Sequence, residues 1–354
     1  MNRERNPGGL AQGPPPAPVP APALPSRRER LGRAVGKRLW VLTALSLCAS
    51  LAAAFAPLHW VLENAGEFQL QLLLAESPLA IAWLALPSLR MIPWRKAAAP
   101  LLLLAAALSF HAVRLAPLWL ASPVEAAAGS RPFRVMAANV HTRNDDCASL
   151  LAAVERERPD VLILLEVDSK WRKALEPLRS MYPSMMFSAS DYDNFGIAGW
   201  SRVPGSRVDI RNLKPQAPRV SDTVHILFEW EDRQVEVIGA HPVPPVSGDY
   251  VKGNLAQLDA LSSYVRDAGH PCVLAGDFNR TPWSPSFRRF LREGGLDHGR
   301  AGRGLITTWP RGVPFLRIPI DHVCATRELA IASFRRLPAG GSDHNPIVAE
   351  IAPR

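Results

Sequence analysis

The chain reads as an α/β protein, two packed sheets flanked by helices, standing behind a membrane-spanning helical region. Three observations carry that reading. Residues 39 to 120 are dominated by apolar segments long enough to cross a bilayer. From Arg131 onward, short apolar runs alternate with stretches of helical periodicity. Acids, amides and imidazoles then follow directly on those apolar runs, as they do where strands end at a functional rim. At 47% hydrophobic and 21% charged over 354 residues, the chain is too apolar for a disordered scaffold. Its four cysteines are too few for a disulfide-built fold.

The N-terminal third divides by composition. Residues 1 to 38 form a Pro-rich basic tail, whose run PPPAPVPAPALP has no packable face and is expected to stay disordered. Arg27, Arg28, Arg30, Arg33, Lys37 and Arg38 close that tail, and the uncharged stretch Leu39 to Pro57 is the first expected span. The second runs from Phe68 to Leu89, interrupted by Gln69, Gln71 and Glu76. The third runs from Ala97 to Leu120, with His111 and Arg114 inside it. Arg114 lies close enough to the end to snorkel. The tail is basic, the connection Pro57 to Glu67 acidic and the connection Arg90 to Lys96 basic, an alternation that puts the tail inside and everything after Leu120 outside. For a bacterial inner membrane this means a periplasmic C-terminal domain, joined by a linker over residues 121 to 130. A cleaved signal peptide ending near Ala54-Phe55-Ala56 is the weaker reading, because two further apolar segments follow it.

The net charge of +9 takes its meaning from this layout. Residues 1 to 40 carry +6 of it, residues 41 to 126 sum to zero, and the remainder carries +3. The excess reports topology more than a nucleic-acid footprint.

Residues 131 to 354 form the α/β domain. Phe133 to Val140 reads as a strand, and Asp146 caps a helix running to Glu157. After Asp160, residues 161 to 165 are a continuous apolar run, the pattern of a strand buried on both faces, ending at Glu166. Strand-like runs recur at Gly196–Ser201, Val224–Trp230, Gln234–Ala240, Cys272–Gly276, Ile318–Ala325, Leu329–Arg335 and Pro346–Ile351. Gly253 to Asp267 is amphipathic, with Leu255, Leu258, Leu261 and Val265 on one face. No internal sequence repeat is evident.

Asn139, Glu166, His241, the segment GDFN at 276 to 279 and the pair Asp321-His322 each follow an apolar run. GSDHNP at 341 to 346 precedes the last one. Taken singly, Asn139 reads as a turn residue, Glu166 as a strand-end carboxylate and His241 as a core histidine. Together they offer what a hard divalent cation and a phosphate require: carboxylates for the metal, amides to orient oxygens, imidazoles for protons.

On the strength of GDFN and SDH in particular, the chain from Arg131 to Ile351 resembles the endonuclease/exonuclease/phosphatase superfamily, and its anchored arrangement is similar to a bacterial subgroup of it. The resemblance implies a four-layer α/β sandwich with two central mixed sheets. It also implies roles for named residues. Glu166, Asn139 and Asp343 would hold Mg²⁺, or Mn²⁺ in its place. Asp277 would orient or deprotonate the attacking water and Asn279 would hold it or a phosphate oxygen. His344, its tautomer fixed by Asp321, would stabilise the phosphorane or protonate the leaving oxygen, and His241 would contact the scissile phosphate. Where several members carry a second acidic ligand, two residues after the Asn, this chain has His141. That departure favours one tightly held ion, with His141 a surface loop residue or a phosphate contact.

The implied activity is phosphodiester hydrolysis, read first as a nuclease, with a phospholipid or small phosphate ester as the alternative substrate and a catalytically silent binding module as the alternative class. Arg202, Arg207, Arg211, Lys214 and Arg219 form one basic stretch and Arg288, Arg289, Arg292, Arg300 and Arg303 another. Either would line a polyanion groove or form a solvated face, and the mild charge of the domain favours the solvated face. Trp283 and Trp309 would stack on a base or sugar, or close the core. Cys272 and Cys324 fall in buried-type strands and are expected as free thiols.

Overall fold

The structure is a computed structural model that describes residues 26 to 338 and 340 to 354; the expected disordered tail over residues 7 to 25 lies outside the described residues. Helix α1 (Arg27–Ala54) opens on a capping box: the Ser26 hydroxyl accepts from the Glu29 amide and the Glu29 carboxylate accepts from the Ser26 amide. The basic cluster therefore forms the first turns of α1. A short 3₁₀ turn (Ala56–Leu58), α2 (Trp60–Gly66), α3 (Gln69–Ser88), α4 (Trp94–Leu115) and the single turn α5 (Pro117–Leu120) follow. Helices α1, α3 and α4 are each long and apolar enough to cross a membrane. Polar side chains tie them together. Ser46 and Ser50 on α1 donate to Glu76 on α3 at 2.9 and 2.6 Å, and Trp83 donates to Thr43 at 3.0 Å.

The domain then runs β1 (Phe133–Asn139), α6 (Cys147–Glu157), β2 (Val161–Leu165), α7 (Ser169–Ala174), β3 (Ser184–Ser188), β4 (Ile197–Ser201), β5 (Arg207–Arg211), β6 (Thr223–Trp230) and β7 (Arg233–Ala240). It continues with α8 (Gly248–Asp267), β8 (Cys272–Asp277), α9 (Pro285–Glu293), β9 (Leu296–His298), β10 (Asp321–Thr326), β11 (Leu329–Arg336) and β12 (Ile347–Pro353). Two six-stranded sheets result, ordered β11-β12-β1-β2-β4-β3 and β5-β6-β7-β8-β10-β9.

Strand periodicity sorts the apolar residues into layers. Val135, Ala137, Val161, Ile163 and Leu165 face Val237, Val273, Ala275 and Val323 in the core between the sheets. Met136, Ala138, Leu162 and Leu164 point the other way, onto Leu150, Ala153, Val154 and Trp171 of α6 and α7. Ile238, Leu274 and Cys324 pack against Leu258, Leu261, Phe287 and Phe290 of α8 and α9. The molecule is thus the expected four-layer sandwich. The sequence reading passes over the edge strands β3, β5 and β9 and the helices α7 and α9.

Topology places the rim. Among the described residues each sheet has one parallel pair, β1–β2 and β7–β8, joined by the crossovers containing α6 and α8. Parallel neighbours end together, and in such sheets the carboxyl ends are where ligands bind.

Candidate active site

Asn139 is the last residue of β1, Glu166 follows β2, His241 follows β7 and Asp277 ends β8. Asp321 opens β10 directly opposite Asp277 in the antiparallel register, and Asp343 and His344 precede β12, which runs antiparallel to β1. Residues from six strand ends therefore meet at one rim. Local backbone geometry aims them. Gly276 has φ +146° and a Cβ there would lie 2.1 Å from the Ala240 carbonyl oxygen, so only glycine lets β8 approach β7 before Asp277. Glu166, His141 and Asn279 hold φ of 61°, 60° and 53°, the left-handed region that non-glycine residues enter where surrounding structure enforces it.

Side-chain contacts join the set. The Asn139 amide donates to Glu166 at 2.8 Å and Asp277 at 3.3 Å. Asp277 accepts from the Asn279 amide N–H at 2.9 Å, while the Asn279 side chain donates to the Pro242 carbonyl at 2.9 Å. His344 Nδ1 bonds Asp321 at 3.0 Å, and its Nε2 lies 3.6 Å from Asp277. His241 Nε2 lies 3.6 Å from the same Asp277 oxygen. His344 is further held from behind: its amide donates to Ser342, whose hydroxyl donates to the Asn139 carbonyl. His141 is part of this group, its Nδ1 3.6 Å from Glu166 and 3.5 Å from Asp343.

Burial and charge set protonation. Desolvation, with help from the Asp321 and Glu166 charges, pushes Asp277 up to about 8 against the opposing pull of His344. Burial alone would lower His344, but the flanking Asp321 and Asp277 hold it up at about 10, so it keeps its proton at neutral pH. Burial lowers His241, which stays neutral. One imidazolium and one imidazole thus face the same carboxyl group, which burial keeps protonated up to about pH 8.

The donor set fits a hard cation. Glu166 and Asp343 supply carboxylate oxygens, the Asn139 Oδ1 accepts from the His141 amide at 3.0 Å, and Asp343 Oδ1 is buried with no hydrogen-bond partner among the described residues. Ligand atoms of Asp277, Asp321 and His344 also lie within 4.8 Å of one another. Glu236, His270 and Cys272 form a second such group, at the opposite strand ends. There Glu236 is already hydrogen-bonded to His225, His270 and Tyr264.

Other expected contributors have different work. Trp283 is 2% exposed and packs against Leu115, Leu118, Leu70 and Leu73, so it closes the seam with the apolar helices and offers no face for stacking. Trp309 donates from its indole N–H to Asp343 at 2.9 Å. Of the basic stretches, Arg202 pairs with Asp160, Arg211 with Asp209 and Arg289 with Asp259, and Arg300 is fully buried.

Sequence reasoning missed the segments between α1 and α3 that reach this rim. Glu67 accepts from the Thr281 amide at 2.9 Å and Glu63 from the Ser286 amide at 3.0 Å, and both lie 3.5 Å from the buried Arg280, the neighbour of Asn279. Asn64 donates to the Pro245 carbonyl at 2.7 Å, in the loop that begins at His241. The two acids were visible as an i, i+4 pair in the acidic connection.

Comparison with known proteins agrees with this geometry. Residues 136 to 344 match the profile of the Endonuclease/Exonuclease/phosphatase family. A curated relative, the UPF0294 protein plu0699 of Photorhabdus laumondii, is 34% identical over 130 residues, 36% of this chain; the match spans 45% of that protein. Among solved structures, an endonuclease/exonuclease/phosphatase from Beutenbergia cavernae superposes with TM-score 0.52 at 22% identity, covering 63% of this chain and 72% of its own. The human Nocturnin catalytic domain with bound sulfate anion gives 0.52 at 19% identity, covering 67% and 99%. D. rerio TDP2 complexed with a single-strand DNA product gives 0.51 at 13%, covering 62% and 98%. At these identities the likeness speaks for the fold. With the profile match over more than half its length and the strand-end residues gathered on one rim, the chain belongs to the endonuclease/exonuclease/phosphatase family.

Proposed function

We propose that the chain is a membrane-anchored phosphoesterase, dependent on Mg²⁺ or Mn²⁺, that hydrolyses a phosphodiester by in-line attack of water. The observation that carries this is the Asp321–His344–Asp277 line beside the Asn139–Glu166 pair: a proton donor, a carboxylate for water and a hard-cation ligand set on one rim. Glu166, Asn139 and Asp343 would hold the ion, which when bound neutralises charge on the phosphoryl oxygens. Asp277 orients water and in its ionised form takes its proton; Asn279, its amide N–H₂ engaged by Pro242, offers its carbonyl oxygen to the same water. His344 carries the proton that the leaving oxygen needs, with Asp321 fixing its tautomer. His241 contacts the non-bridging phosphate oxygens. The completeness of the set argues against a silent binding module.

Three spans with the basic α1 start inside would put the domain outside the membrane, periplasmic in a bacterium. The contacts of Glu63, Asn64 and Glu67 with the domain support this, since they require the α1–α3 connection to lie on the same side. Alkaline phosphatase fused after Leu120 should be active, and an inactive fusion would reverse the orientation. A nuclease activity is supported by the DNA product in the TDP2 relative; a lipid phosphoester is favoured by the contacts between rim and anchor. The reaction itself is tested with the detergent-purified full chain and bis(p-nitrophenyl) phosphate. Turnover should need Mg²⁺ or Mn²⁺, stop with EDTA and be absent in Asp277→Asn; metal-independent turnover shared by that variant would sink the reading.

A further inference from the structure

Three of the loops around the catalytic rim rest on the short helix α2 and the start of α3. The segment after Asn279 is held by Glu63 and Glu67, and the loop after His241 by Asn64. The third loop, between Trp309 and Asp321, meets α3 itself: Gln71 donates to the carbonyls of Phe315 and Arg317 at 3.2 and 3.3 Å. This loop also touches the site, since the Arg311 amide donates to the Asp343 carbonyl at 2.8 Å.

Length arithmetic sets the height of that third loop. Helix α3 has 20 residues, which at 1.5 Å each is ~30 Å, the thickness of a bilayer's hydrocarbon core. A span that uses the whole of α3 puts Gln71, the third residue of the helix, at the outer boundary, together with the turn Pro314–Leu316 hydrogen-bonded to it. The surface there is apolar. Phe315 is 78% exposed, Leu316 48% and Val313 40%. Val246, beyond Pro245, and Val61 on α2 are exposed as well. Arg311, Arg317 and Arg336 lie close together beside the turn, with Arg317 reaching the Arg311 carbonyl. Apolar side chains at the hydrocarbon boundary flanked by arginines are the composition that seats a surface in an anionic leaflet.

We infer that the turn Val313–Leu316 inserts into the outer leaflet of the chain's own membrane and sets the catalytic rim over the headgroups, so that the substrate is a phosphoester borne by a membrane lipid. The inference rests on the hydrolase reading above. The chemistry is unchanged: a water oxygen bonds to phosphorus, the P–O bond to the leaving alcohol breaks, and that alcohol leaves with the proton from His344.

The test uses the full chain in vesicles of phosphatidylethanolamine and phosphatidylglycerol, with phosphorus NMR reading lipid products and bis(p-nitrophenyl) phosphate as a soluble substrate. Phe315→Ser with Leu316→Ser should lower lipid turnover about tenfold or more through lost insertion, while soluble-diester turnover changes by less than about twofold. With p-benzoylphenylalanine in place of Phe315, irradiation should yield adducts to lipid acyl chains. Cleavage of DNA oligonucleotides with no lipid product, lipid turnover indifferent to the double substitution, or adducts confined to protein would each overturn the inference and leave the hydrolase reading intact. Absence of soluble-diester turnover would instead bring down the hydrolase reading, and this inference with it.

Discussion

Substituting alanine for both Glu63 and Glu67 should unfasten the loop that carries Asn279. Arg280 is fully buried, and its terminal nitrogens make no hydrogen bond among the described residues. Its compensation is Asn254 on Nε at 2.9 Å and the two carboxylates 3.5 Å from Nη1. Two charges at that separation attract by about 4 to 5 kcal/mol at an effective dielectric of 20, before desolvation is counted. Removing the partners of a buried charge destabilises by roughly 3 to 5 kcal/mol net, and the Thr281 and Ser286 amides lose their acceptors as well. A loss of about 4 kcal/mol is about a thousandfold in the docked-to-undocked ratio. Hydrogen–deuterium exchange of the full chain in detergent should show it as faster exchange at Thr281 and Ser286, with α6 and β2 unaffected. Glu67→Gln, which keeps an acceptor for Thr281, should fall between. The attachment also has a pH dependence. Burial lifts Glu67 to about 7 in spite of Arg280, above its ordinary value, so the docked state holds a proton that the free loop releases. Docking is therefore strongest below about pH 4.5 and weakens as pH rises through 7, by about 3 kcal/mol in all. Protection at Thr281 that is unchanged in the double variant would mean that water or another group satisfies Arg280 and that the two carboxylates do not hold the loop.

Asp277→Asn should cost about two to four orders of magnitude in turnover as water loses its base. Without metal, the same variant should melt at an equal or higher temperature, because it removes a carboxyl that burial, with the charges of Asp321 and Glu166, makes costly to ionise; a clear drop in melting temperature would contradict this. Glu236 is held at about 2: burial alone would raise it, and hydrogen bonds from His225 and His270 more than reverse that. Its contribution, about 3 kcal/mol, is present above its unfolded value near 4.5 and lost as pH falls toward 2. Urea midpoints between pH 5 and 3 should fall less steeply in Glu236→Gln, and identical slopes would dismiss the linkage. Cys272 and Cys324 are buried free thiols, with burial pushing Cys272 up to about 12. A thiol reagent at pH 8 should leave both intact until the domain unfolds, and rapid modification of the native chain would show that the second sheet opens.

What the sequence revealed and what it hid divide along one physical line. Strands buried on both faces announce themselves by composition: Val161 to Leu165 and Cys272 to Gly276 are continuous apolar runs, and both are central strands here. Residues that end such strands, Asn139, Glu166, His241 and Asp277, inherit that clarity, because parallel neighbours must deliver their carboxyl ends to a common edge. Edge elements lack it. Strand β5, Arg-Val-Asp-Ile-Arg, alternates with the period of two that a half-exposed strand requires, but its arginines read as part of a basic stretch. Helix α9 suffered the same way: Ser284 caps it and Pro285 starts it, while its arginines on the outer face drew attention to charge instead of amphipathicity. His141 was ambiguous because a residue two positions past a strand end can turn outward or inward, and its left-handed backbone, invisible in a sequence, turns it toward Glu166 and Asp343. Least legible were the contacts of longest range. Glu63 and Glu67 counted in the sequence only as charges that set orientation, yet in the structure they neutralise Arg280, more than two hundred residues away. A charge in a short connection between apolar helices carries two messages: its sign gives the side of the membrane, and its burial gives the partner. Only the first is additive along the chain, so only the first can be read before the fold is known.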